Sequence, residues 1–238
     1  METAIAPQQD RFSSKLIAPW WHTLALLLVL FAISALGAYL HSASPLIRPP
    51  AHIVGYMITL VTEWLLVAFV WFGIRHGNVS LRDLIGGSWP SGLAILRDLG
   101  IAILFLIASD IVLAILARLL KTAPNQAMRE LLPHRGVEVA LFLLLALTAG
   151  ICEEIIFRGY LQKQFTAMIG NAGVAVVVQG IFFGAAHGYQ GLKPMLIIAV
   201  YGCLFGLLAH WRRSLRPGMI THFMQDGIAG LLARYAMK

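Results

Sequence analysis

Apolar stretches of about 20 residues recur along this chain, and a bilayer core is the solvent that such a length fits. Seven can be read, at 20–40, 53–74, 99–120, 138–157, 172–188, 194–211 and 216–235. Helix-ending residues divide them: Ser44-Pro45 and Pro49-Pro50, then Gly86-Gly87-Ser88-Trp89-Pro90, then Pro124 and Pro133. Ser80-Leu81-Arg82-Asp83 reads as the start of a short interfacial helix. Only 12% of the residues are charged, where a soluble domain carries about a quarter. The expected fold is therefore all-α, a polytopic integral membrane helix bundle of about seven transmembrane helices. Its expected organisation is a polar N-terminal tail at 1–18, N-terminal membrane helices and connectors at 19–137, and a membrane core at 138–238. The fifth and seventh runs contain glycine and are less apolar, which suits helices packed inside the bundle.

The net charge of +7 would point to nucleic acid in a soluble protein. Here the basic residues lie mostly in connectors, where membrane topology and anionic lipid account for them, and no nucleic-acid partner is expected. Counted from an inside N-terminus, inside segments hold ten Lys and Arg and outside segments eight, with Arg158 among the former. The cluster Arg212, Arg213 and Arg216 tips the reading toward that orientation. The run after Trp20 is longer than a signal-peptide core of about 7–15 residues and reads as a retained first helix. Cys152 and Cys203 both lie in apolar stretches, which argues against a disulfide framework. The setting expected is a bacterial inner (plasma) membrane, crossed several times.

Against this apolar background the ionisable residues of the second half stand out, because such groups are rare within spans unless they have a function. Glu153-Glu154 is followed by Arg158, Phe183 by His187, and His222 by Asp226. On an α-helix residues four apart lie about 40° apart and neighbours about 100° apart. Arg158 then sits under Glu154 and neutralises it, and Glu153 is left as the free carboxylate, suited to general-base work. His187 ends a Gly/Ala-rich run that another helix can approach closely. His222 and Asp226 share a face, as ligands or as a histidine oriented by a carboxylate. Each constellation alone has a bland counterpart: an interfacial Glu-Glu-Arg cluster, a capping histidine, an intrahelical polar pair. Three burials of costly groups on three spans are explained together by one polar cavity.

Glu-Glu-x-x-x-Arg, Phe-x-x-x-His and His-x-x-x-Asn/Asp, in that order on successive helices, resemble the CPBP family of intramembrane proteases. That family includes the CAAX prenyl endopeptidases of the Ras-converting type, the lysostaphin-resistance-A-like proteins and the bacterial Abi proteins. The resemblance spans about 138–235 and implies an endopeptidase acting on a membrane-associated protein or peptide. It implies that Glu153 activates water with help from His187, that His222 and Asp226 stabilise the oxyanion or hold the water, and that Glu154 and Arg158 shape the site. The eukaryotic enzymes usually carry Asn where Asp226 stands. An amide donates to an oxyanion and an ionised carboxylate does not.

Two chemistries stay open. Bacterial members are commonly labelled metalloproteases, and Glu153, His187 and His222 would be the ligands of a divalent metal such as zinc, which needs three ligands and an open position. A metal-free mechanism needs only a base, a histidine and an oxyanion donor, and the reading leans toward it. Cys152 is disfavoured as a nucleophile, since no histidine stands near it in sequence to activate it. Glu63 and Asp110 either line the cavity or make interhelical bonds, and the reading leans to the structural role, while Glu138, Arg129 and Arg135 read as interfacial. The alternatives to an enzyme are a non-catalytic membrane immunity or scaffold protein of the same fold, and a transporter. The second lacks an inverted repeat or a pair of broken helices.

Overall fold

The computed structural model describes residues 15–42, 52–122, 132–133 and 136–236. The tail up to residue 14, the Ser44-Pro45 and Pro49-Pro50 breaks, Pro124, Arg129 and Arg135 lie outside the described residues. Within them the chain is helical: α1 (Trp20–Ser42), α2 (His52–Arg75), the short α3 (Leu81–Ile85) and α4 (Gly92–Leu119). Then α5 (Gly136–Glu153) runs through a π-helical segment (Glu154–Leu161) into α6 (Gln162–Ile169). Next come α7 (Ala172–Ala186), a 3₁₀ turn (Gly188–Gln190), α8 (Leu192–Arg212) and α9 (Arg216–Ala236). Each expected span has a helix. Among the described residues five stretches have the length and hydropathy to cross a bilayer: Trp20–Leu40, Ile53–Arg75, Gly92–Leu119, Gly136–Ile169 and Leu192–Arg212. The helix α7 is shorter, and α9 is less apolar. On α4 the side chains of Leu93, Leu96, Leu104 and Leu119 are exposed, an arrangement suited to lipid and costly in water.

Two boundaries differ from expectation for one reason. The third run begins at Gly92 rather than 99, after the Ser91 cap, whose hydroxyl accepts from the Ala94 N–H. The added turns hold Asp98, whose charge lowers the apparent hydropathy although the side chain is fully buried. Its carboxylate accepts from Trp89 Nε1 at 2.9 Å and pairs with Arg212 at 3.2 Å and Arg216 at 3.6 Å. The fourth run continues past 157 to Ile169, because Arg158, Gln162 and Gln164 are buried and bonded inside the protein. These contacts also weaken the orientation reading. Arg158 is no connector residue, and two of the three arginines at 212–216 are tied to Asp98.

The π segment and α6 form the spine. Tyr160 Oη meets His22 Nδ1 at 2.8 Å and Thr23 Oγ1 at 3.0 Å. Gln164 accepts from the Ile17 N–H and donates to the Ala18 carbonyl. The start of α1 is thereby fastened to the second half of the chain. On the other side α7 and α8 pack through glycines. A Cβ at Gly202 would stand 3.0 Å from the Gly180 Cα, and one at Gly184 would stand 2.7 Å from the Ala199 Cβ. Only small residues permit this approach.

Candidate active site

The site is built where α5 passes into the π segment, and α7, α8 and α9 close around it. Glu154 is the first π residue and Glu153 the last α residue. As expected, Glu154 pairs with Arg158, Oε1 to Nη1 at 3.0 Å, with both side chains fully enclosed. The guanidinium lies 4.2 Å from the Phe183 ring centroid and 5.1 Å from that of Phe205. Its Nη2 donates to the Gly202 carbonyl at 3.5 Å. A charge so enclosed is tolerated because a counter-ion, ring faces and a carbonyl together replace water.

The pair is not closed on itself. Oε1 of Glu154 also lies 3.3 Å from His222 Nδ1. The other nitrogen, Nε2, lies 3.7 Å from Glu153 Oε2 and 3.7 Å from Asp226 Oδ2. Ideal α-helical spacing sends Glu153 and Glu154 to different neighbours, yet both reach one imidazole. The change from α to π winding falls between them, and π segments of this kind are frequent at functional sites. The two acids differ in access: the Glu153 side chain is 18% exposed and that of Glu154 0%. Phe183, Tyr201 and Phe205 ring the His222 imidazole, with centroids at 6.4, 6.5 and 5.6 Å.

His187 caps the end of α7, and its Nδ1 lies 2.9 Å from the Phe183 carbonyl. A carbonyl only accepts, so Nδ1 carries the hydrogen and Nε2 is left as the reactive nitrogen. Its ring lies 4.9 Å from that of Phe183, which orients it as a wall. Among the described residues His187 forms no ion pair with Glu153 or Asp226, although it lies in electrostatic range of Asp226. The structure thus brings Glu153, Glu154, Arg158, His222 and Asp226 into contact and sets His187 across from them. Glu153 faces His222 rather than His187.

Among the described residues no three His, Cys, Asp or Glu side chains converge as a metal ion requires. The trio Glu153, His187 and His222 does not form such a group. Cys152 is wholly enclosed in the apolar core, where a thiol is inert. Asp110 is exposed on α4 and Glu138 half-buried in the first turn of α5. Glu63 of α2 is buried and lies in electrostatic range of Glu153, His222 and Asp226. The signal was available in the spacing of α2, whose apolar stripe runs through it.

Residues 135–228 match the family model Rce1-like, described as Type II CAAX prenyl endopeptidase Rce1-like. No curated protein and no solved structure matches the chain.

Proposed function

We propose, from the match of residues 135–228 to the Rce1-like model of type II CAAX prenyl endopeptidases, that this membrane protein hydrolyses a peptide bond of a membrane-associated protein or peptide, with water activated by Glu153. One observation carries the reading. Glu154, fixed by Arg158, grips His222 at Nδ1 and turns Nε2 toward the more accessible Glu153 and Asp226. A sealed acid that orients an imidazole toward an open acid is the arrangement that general-base hydrolysis needs.

In the proposed reaction Glu153 takes a proton from water and the resulting hydroxide attacks the scissile carbonyl. The oxyanion receives a hydrogen bond from Nε2–H of His222, which acts as an imidazolium with its Nδ1–H given to Glu154, and Asp226 helps to hold that ring. Glu153 then delivers its proton to the leaving amine, so that the C–N bond breaks to a carboxylate and an amine. His187, fixed through Nδ1, offers Nε2 from the facing helix to steady the attacking water. Exclusion of bulk water by the surrounding aromatic rings strengthens each of these interactions. No metal is required by this scheme, and the Glu153 and His222 side chains supply its base and its donor.

The test uses purified protein in lipid vesicles with two fluorogenic peptides. One ends in a prenylated Cys-aliphatic-aliphatic-Xaa sequence, and the other is the same peptide without the prenyl group. Cleavage by the wild type and a loss of about a thousandfold or more in Glu153→Ala are expected. Equal cleavage by Glu153→Ala sinks the reading, and the ratio between the peptides measures what the lipid contributes.

A further inference from the structure

The stripe of α2 that faces the bundle is Tyr56, Leu60, Glu63, Val67, Val70 and Ile74, all buried. Five members follow the rule for an amphipathic helix, with spacings of three and four. The sixth is a carboxylic acid between two aliphatic neighbours, with its Oε2 enclosed and without a hydrogen-bond partner. Leaving a buried polar atom unpaired costs stability. A residue of this kind persists where it has a task.

Its surroundings indicate the task. The groups in electrostatic range of Glu63 are Glu153 and Cys152 on α5, His222 and Asp226 on α9, and Tyr189 in the 3₁₀ turn. Glu153 Oε2 is likewise enclosed without a hydrogen-bond partner. Two carboxyl groups, each with an enclosed oxygen that lacks a hydrogen bond, therefore stand in electrostatic range of each other across the packing of α2 on α5. The ring contact between Tyr56 and Phe142, with centroids 5.7 Å apart, fixes α2 against α5.

We propose that Glu63, which lies outside the matched segment, is a positioning residue of the hydrolytic site, holding Glu153 and its water from the α2 side. The N-terminal helices then complete the site. This inference rests on the hydrolase reading above. It differs from a structural role in a sign. If Glu63 serves the site, replacing it by leucine completes the apolar stripe and stabilises the protein while slowing the reaction. If it serves the fold, the same change destabilises.

The experiment compares wild type, Glu63→Leu, Glu63→Gln and Glu153→Ala on the two peptides in vesicles, with unfolding midpoints measured in micelles. Expected for Glu63→Leu is a fall in kcat of about tenfold or more at little-changed KM, with a midpoint at or above that of the wild type. Glu63→Gln, which keeps a hydrogen-bonding group of the same shape, restores kcat to within about threefold. Glu63→Leu as active as the wild type overturns the inference while Glu153→Ala still reports on the hydrolase reading. A lowered midpoint with lost activity assigns Glu63 to the fold and also overturns it. A wild type inert on both peptides refutes the hydrolase reading and the role of Glu63 with it.

Discussion

Replacing Arg158 by methionine tests the electrostatic architecture most directly. Methionine fills much of the volume and removes only the charge and its donors. The pair it breaks is 3.0 Å long and fully enclosed. At an effective dielectric of about 20, such a pair attracts by about 5.5 kcal/mol. Breaking a buried pair from one side costs about 3–5 kcal/mol, because the remaining charge is left without compensation. Loss of the ring-face contact to Phe183 at 4.2 Å adds about 1–2 kcal/mol. The expected total is about 4–7 kcal/mol. In the double variant Glu154→Gln/Arg158→Met no bare charge remains, and the amide oxygen still accepts from His222 Nδ1. It should recover about 2 kcal/mol or more relative to Arg158→Met, a coupling of the size expected for contacting residues. The assay is a reversible SDS titration from mixed micelles, followed by tryptophan fluorescence for all four members of the cycle. An Arg158→Met cost of under about 1 kcal/mol, or a double variant no more stable than the single one, would refute the argument.

Other outcomes follow from single contacts. A methyl at Gly218 would lie 3.0 Å from Glu154 Oε2; Gly218→Ala should lower stability by about 1–3 kcal/mol and reduce peptide cleavage, as read by melting and by kcat. Asp226→Asn should retain cleavage within about tenfold, since an amide can still hold the His222 ring and also donate; loss comparable to Glu153→Ala would show that the carboxylate itself is needed. Tyr160→Phe leaves His22 Nδ1 and Thr23 Oγ1 short of a partner; a cost of about 1–3 kcal/mol with unchanged kcat is expected from unfolding and kinetics on the same preparation.

The bundle was legible because seven apolar runs leave a membrane chain little alternative to helices. The errors fell where polar residues are satisfied inside the protein. Asp98 lowered the apparent hydropathy of α4, yet Trp89, Arg212 and Arg216 enclose it. Arg158, Gln162 and Gln164 seemed to end the fourth run, yet each meets a carbonyl from a distant part of the chain. A window of hydropathy measures transfer of separate side chains and has no entry for partners that tertiary structure supplies. In the site, Glu153, Glu154, Arg158, His222 and Asp226 could be picked out by type and spacing. Their phase could not, since an even 100° per residue assumes α winding where the chain changes to π.

The rigidity of the site comes less from the helix that bears the acids than from the glycines of its neighbours. Gly202 and Gly206 leave two α8 carbonyls uncovered by side chains. Gly202 accepts from Gln179 at 2.8 Å and from Arg158 at 3.5 Å, and Gly206 accepts from Gln162 at 3.0 Å. A Cβ at Gly206 would stand 2.6 Å from Gln179 Nε2 and 2.8 Å from Gln162 Oε1. The bare backbone thus does two things at once, admitting α7 at close range and holding the π segment by its polar side chains. A π segment has poorer hydrogen-bond geometry than an α-helix and depends on its surroundings to persist. Here those surroundings are α8 on one side and the start of α1 on the other. Holding both ends of the segment fixes the turn at which Glu153 and Glu154 meet His222, so that the geometry of the candidate site is set by helices that contribute no acid or base to it.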